Sequence, residues 1–377
     1  MTADTQEVDD FDFEDRNDPE NPDAEAEDIP REKRVLRTQA YDKSVSDLVA
    51  MMTAEDIRLD PHYQRNYIWD NKKASLLVES ILLNVPIPVI YVEEDEQSSW
   101  NVVDGLQRLN SLRRFFSNEF KLTGLEVLPE LNRLQFSTLP QKAQRILKNG
   151  IFRIIVILQE SHPEIKYDIF LRLNRGAVRL NEQELRNCLY RGPLNDFLKE
   201  LRNVKKFQEI LGINEPHPRF ADAELILRAI ALTKEFDWEK KTLSNYSGKM
   251  RGFLNLYMGE NRSATEKELN KLGDVFIRSV DNVYTVFGTK AFRRIDPETG
   301  LAERQINRAV FDAVMVTFSK YKKEKIEQQK DKIFRAFMEL PQSDSKFFEA
   351  LTYGTGDKPK VEYRINIWAN VLDKLLA

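Results

Sequence analysis

The strand-like segments of this sequence crowd into its first 160 residues, and almost everything past about Tyr190 runs with helical period. That segregation points to an α+β fold: a small mixed unit with few strands, then a mainly α-helical domain. In the first part VIYVEED (89–95), the run from Trp100 to Val103 and FRIIVIL (152–158) are short and β-rich. Between them lie helical patterns. KKASLLVESILLNV (72–85) sets Leu77, Ile81 and Val85 on one face and stops at Pro86 and Pro88. The segment after Val103 turns Leu109, Leu112 and Phe116 to one side, and LPQKAQRILKNG (139–150) ends on Gly150 as a C-terminal cap. SVSDLVAMM (44–52) reads as a short helix or the entry to a strand. Pro163 opens a helix through Leu173, and Asn181 with Glu184 makes a capping-box pair that starts another.

With 377 residues the chain is long enough for two domains with separate cores. The boundaries read as an acidic tail over 1–30, a mixed domain over 31–190 and a helical domain over 191–377. In the last, GINEPHPR (212–219) is a loop, while DAELILRAIAL (222–232), GFLNLYM (252–258) and INRAVFDAVMVTF (306–318) are amphipathic or buried helices. KYKKEKIEQQKDK (320–332) reads as a solvated helix face.

The formal charge of −4 conceals an asymmetry. Residues 1–30 carry 13 Asp or Glu against one Arg, which leaves 56 basic and 48 acidic residues for the rest. Such a tail is expected to be disordered and solvated; the sharper alternative is an electrostatic mimic competing with nucleic acid for a basic surface. No apolar run approaches the roughly 18 residues of a membrane span, so no membrane association is expected. The single cysteine, Cys188, excludes an internal disulfide framework and fits a reducing, cytoplasmic setting. His62, His162 and His217 each sit beside a proline, far apart, so neither a zinc-ligand spacing nor a His-centred nuclease motif is present. Carboxylates alone can still hold magnesium.

The stretch WNVVDGLQRLNSLRRFF (100–116) carries the chemistry. Asp-Gly is a common turn dipeptide, and Asp104 could simply cap the helix that begins after it. The functional reading starts from geometry. A helix beginning near Gly105 points unpaired N–H groups and a positive dipole end outward, and a residue without a side chain lets an anion approach them. Arg108 offers a planar fork for phosphate, Gln107 can orient a water or a phosphoryl oxygen, and Asp104 can hold magnesium or polarise water. A second cluster, YQRNYIW (63–69), repeats the pair as Gln64-Arg65 among aromatics. Tyr67 and Trp69 are expected in the core, whereas Arg65 needs an anionic partner or a stacking role. A third loop at Asn174, Arg175 and Gly176 could close on the same corner, although Gly176 could equally be a helix cap.

Taken together, YQRNYIWD, ILLNVPIPVIYV, VVDGLQRLNSL and FLRLNRGAVRLNEQELRN resemble, in this order, the N-terminal domain family of GmrSD-type restriction systems. The resemblance covers 57–187 and implies a ParB/sulfiredoxin-like fold. It implies a nucleoside triphosphate ligand, with hydrolysis linked to the family's Asp-Gly-Gln-Gln-Arg motif in systems that attack modified foreign DNA; magnesium at Asp104 stays open as a further ligand. Asp104, Gly105, Gln107 and Arg108 carry over; Leu106 stands at the middle position. The cysteine that sulfiredoxin relatives use in this corner has no counterpart here. The helical half, with RFADAELILR (219–228), resembles the region after this domain in stand-alone members and lacks the nuclease domain that larger members append.

Three function classes are open: a nucleotide-dependent component of a DNA-targeting defence system, a non-catalytic DNA-binding module, and a ParB-like nuclease. Under the first, Asp104, Gln107 and Arg108 are the catalytic residues. Gln64, Arg65, Gly105, Arg108, Asn174 and Arg175 hold the phosphates, DNA is a partner, and cleavage comes from a partner nuclease chain. The oligomeric state stays open, a homo-oligomer included.

Overall fold

A strand of β-branched residues sits one place in from the edge of the sheet that organises the first unit. In a computed structural model of the chain, residues 36–59, 69–95, 97–173, 181–296 and 298–377 are described. The described residues divide into two compact units between Leu189 and Tyr190. The acidic segment 1–30 lies outside them, as do Gln64, Arg65, Tyr67, Asn174, Arg175 and Gly176.

The first unit runs β1 (Thr38–Ser44), α1 (Val45–Thr53), β2 (Ile57–Arg58), α2 (Asn71–Leu82), β3 (Ile90–Glu94) and β4 (Trp100–Asp104). It continues with α3 (Leu106–Phe116), α4 (Gln141–Asn149), β5 (Ile151–Ile157), α5 (Pro163–Leu173) and α6 (Glu182–Leu189). Its five strands form one mixed sheet in the order β1-β5-β3-β4-β2. β5 runs parallel to β3 and antiparallel to β1, and β4 runs antiparallel to β3 and parallel to β2. Phe152, Ile154 and Val156 of β5 alternate into the core with Ile90 and Val92 of β3. Onto that face pack Leu48 of α1, Leu77, Val78 and Ile81 of α2, Leu109, Leu112 and Phe115 of α3, and Leu147 of α4. Each such side chain, fully buried, contributes about 1.5–3 kcal/mol of transfer free energy.

Local signals account for the element ends. Ser44 caps α1 in a reciprocal capping box with Asp47, so TQAYDKS (38–44) is a strand and SVSDLVAMM a helix. The pattern of the sequence marks no strand over 38–44: β1 is a polar edge strand whose residues stay mostly exposed, and only pairing with β5 makes it one. Asn181 and Glu184 form the expected box, with Glu184 N–H donating to Asn181 Oδ1 at 2.8 Å and Asn181 N–H to Glu184 Oε2 at 2.7 Å. Gly150 does end α4, but with φ of −56° rather than a left-handed cap. A Cβ there would come within 2.5 Å of Ile81 Cγ2, so close packing of α4 on α2 is what selects glycine.

Glu79, on α2, is a buried carboxylate that organises the long connection after α3. It accepts from the N–H groups of Glu126, Val127 and Leu128 at 3.2, 2.8 and 2.8 Å. Burial raises its pKa, yet the three backbone donors outweigh that and hold it below the ordinary value.

The second unit is helical: α7 (Pro193–Leu201), α8 (Lys205–Leu211), α9 (Ala221–Glu235), a two-residue hairpin β6 (Phe236–Asp237) and β7 (Thr242–Leu243), and α10 (Met250–Glu260). Then come α11 (Glu266–Phe287), α12 (Arg308–Phe318), α13 (Lys323–Ser343), α14 (Ser345–Thr352) and α15 (Lys358–Leu375). Every residue of α12 from Ala309 to Phe318 is buried, which makes it the central helix of the unit. Its Asp312 is clasped by Arg228 of α9 and Arg364 of α15, all three buried. The charged run at 320–332 does form a solvated face, with Ile326, Ile333 and Phe337 turned inward. Among the described residues no helix is long and apolar enough to cross a membrane.

Candidate functional site

The corner predicted from the sequence is where β4 hands over to α3. Register shifts between Tyr91 and Val92, which pair with Asp104 and Val102, so Val103 is an extra residue and the end of β4 is re-aimed. Gly105 then turns the chain with φ of +105° and ψ of 7°. A side chain is excluded twice there: the conformation disfavours L residues, and a Cβ would lie 2.9 Å from Ile90 Cγ1 and 3.3 Å from Arg108 Nη2. As N-cap of α3 the glycine has no oxygen to offer the first-turn N–H groups. Asp104 does not cap them either; its carboxylate takes Arg108 instead. The plain-turn alternative, in which Asp104 is a helix cap, is therefore not what the chain uses.

Arg108 folds back rather than outward. Its Nη2 donates to Asp104 Oδ2 at 2.9 Å and to Val89 O at 3.3 Å, and its Nη1 donates to Pro88 O. The guanidinium is 12% exposed and the Asp104 carboxylate 43%. Burial lowers the Arg108 pKa from its ordinary value, with the Asp104 charge opposing that shift. The residue expected to grip phosphate is thus first a bracket, tying the start of α3 to the 88–89 strand entry and holding one side of the carboxylate. Gln107 faces a different element: its Oε1 accepts the Trp69 backbone N–H at 3.3 Å. Trp69, partly buried against the core as expected, is where the chain re-enters the described residues after the stretch with Gln64 and Arg65.

Of the predicted site residues, the structure brings together Asp104, Gly105, Gln107 and Arg108; Gln64, Arg65, Asn174 and Arg175 lie outside the described residues. Sequence reasoning missed a cluster of buried charge farther along the hairpin. Lys166 of α5 donates to Glu93 of β3 at 2.9 Å, and Asp95 accepts from Arg58 at 3.0 Å and from Asn101 at 3.5 Å. The signal was present in VIYVEED: Glu93 falls on the face opposite Val92, so it could not point to the same apolar core. Among the described residues no group of three or more His, Cys, Asp or Glu is placed to hold a metal ion.

A bulged strand end, a glycine turn and a bracketed carboxylate define a site of the strand-to-helix type. Residues 45–191 match the family model described as the GmrSD restriction endonuclease N-terminal domain. The match covers most of the first unit, which is similar to that domain and so points toward restriction and defence systems. No curated protein and no solved structure matches the chain.

Proposed function

We propose that the first unit binds and hydrolyses a nucleoside triphosphate at the β4–α3 corner, and that this drives a DNA-targeting defence system. The observation that carries the reading is the pairing of a half-exposed carboxylate, Asp104, with a helix start whose N-cap is a bare glycine. The first-turn N–H groups and dipole suit a phosphate oxygen. Asp104 alone would repel a triphosphate. Asp104 would hold a magnesium ion, whose charge would offset that repulsion; magnesium held by one or two carboxylates plus substrate phosphates is its usual mode in phosphoryl-transfer sites. One carboxylate fits that arrangement; an all-protein metal cage has no support among the described residues. Arg108 fixes the Asp104 oxygen that faces it, and Gln107, beside Trp69, is the group that orients the attacking water.

The deciding experiment is phosphate release from each of the four nucleoside triphosphates, with and without magnesium and DNA, by the full chain and by Asp104→Asn. Magnesium-dependent turnover that falls by about 100-fold or more in the variant supports the reading, given what a charge-stabilising group contributes to catalysis. Turnover or binding equal in both proteins overturns it. Magnesium-dependent DNA cleavage lost in Asp104→Asn would replace it with the nuclease reading, since the proposal assigns cutting to a partner chain.

A further inference from the structure

The helical unit holds a cavity of about 400 Å³ between α9, α11 and the β6–β7 hairpin. Its walls are apolar, with Phe276 of α11 and Trp238 of the hairpin among them. Two features are unlike an ordinary packing gap. The first is at its floor. Ser279 of α11 is only 2% exposed, and Thr233 of α9 lines the same space. Helical hydroxyls in this chain ordinarily return to a carbonyl four residues back, as Ser111, Thr285 and Thr317 do. No hydrogen bond among the described residues uses the Ser279 or Thr233 hydroxyl. Both hydroxyls line the cavity, where a polar atom of a ligand has room to meet them.

The second feature is at the opening, where the exposed Lys234 and Lys271 stand. Among the described residues neither lies within ion-pair distance of a carboxylate. The acid whose charge they feel is Glu268, and that carboxylate is occupied in capping α11 through Thr265. Two ammonium groups thus line an apolar chamber that also carries two hydroxyls.

We propose that this cavity binds a small amphipathic anion: an aromatic or acyl body with one carboxylate, sulfonate or phosphate at its end. The body displaces water from the apolar walls, the anion meets the two ammonium groups, and a polar atom on the body meets Ser279 or Thr233. Pockets of this size, mostly apolar with a few convergent polar groups, are those that hold small ligands.

The test uses the full chain and two probes of similar body, 8-anilinonaphthalene-1-sulfonate and the uncharged N-phenyl-1-naphthylamine. Probe emission and energy transfer from tryptophan are followed on titration. The double substitution Lys234→Glu and Lys271→Glu should weaken the sulfonate by about tenfold or more, and leave the neutral probe within about twofold, because only the charge-assisted contact is lost. Ser279→Leu, which narrows the chamber and removes its hydroxyl, should weaken both. Sulfonate affinity unchanged by the lysine reversals, or an equal loss for both probes, overturns the proposal. Both lysines are exposed, so this arm stands even where Ser279→Leu does not fold.

Discussion

Gly105→Ala tests whether the corner is as tightly built as its geometry requires. The left-handed region costs an L residue about 1–2 kcal/mol, and φ of +105° with ψ of 7° lies beyond the centre of that region. The added methyl would also sit 2.9 Å from Ile90 Cγ1 and 3.2 Å from Cγ2. Ile90 is fully buried between β5 and the helices, so it cannot swing aside; overpacking of this kind costs about 1–3 kcal/mol. The two terms together predict a loss of about 2–5 kcal/mol. The chain has two units, so a single global midpoint is the wrong observable; native-state hydrogen exchange resolves the change locally. Amides of β4 and α3 should exchange at least about 30-fold faster in the variant, while those of α12 are unmoved, each 1.4 kcal/mol being a factor of ten. Exchange within about twofold of the parent protein would show that the chain reaches this turn without the strain assigned to it.

Four further outcomes rest on charges in the structure. Glu79→Ala leaves three backbone N–H groups without their acceptor and should cost about 2–4 kcal/mol in urea unfolding of the first unit; a change below about 0.5 kcal/mol would refute the role given to this carboxylate. Its folded pKa lies below the ordinary value, so its stabilisation is present above that value and is lost as pH falls through the folded one. Glu79→Gln should therefore flatten the acid limb of the stability–pH profile, and an unaltered limb counts against it. Asp312→Asn leaves two buried guanidiniums facing each other and should destabilise the helical unit by about 3–5 kcal/mol in thermal unfolding; a variant as stable as the parent would mean the triad is not held as described. Arg108→Lys keeps a charge but cannot reach Asp104, Pro88 O and Val89 O together, so exchange at 88–90 should rise whether or not nucleotide is present; loss of nucleotide affinity with unchanged exchange would make Arg108 a phosphate ligand and not a bracket.

How far the sequence carried depended on whether a feature was local. The Asn181–Glu184 capping box, the helix start at Pro163 and the β-branched run at 151–157 are decided within a few residues, and they were legible. So was the corner, because Asp-Gly followed by an amphipathic helix is a local pattern. β1 was not legible, because TQAYDKS becomes a strand only through hydrogen bonds to a segment more than 100 residues away. The inward set of Arg108 was hidden for the same reason: its carbonyl partners come from 88–89, which the sheet, not the sequence, brings beside it. Glu93 and Lys166 lie on separate elements, and only the fold buries them together.

Leu106, which stands where the family's motif has a second glutamine, shows how the corner divides its duties. It is the first residue of α3, and its side chain packs partly against the core. An amide there would place another polar group at the phosphate side of the helix start; leucine instead adds apolar contact beneath the turn. What leucine does not remove is the backbone. The N–H groups at the head of α3 belong to the helix whatever the side chain, and Gly105 in front of them is fixed by conformation and by Ile90. Arg108 is occupied in holding Asp104 and the strand entry, so the fold consumes two parts of the motif and presents the others. Under the proposed reading, chemistry at this corner would rest on Asp104, on Gln107 beside Trp69 and on main-chain donors, the groups that a change at 106 leaves in place.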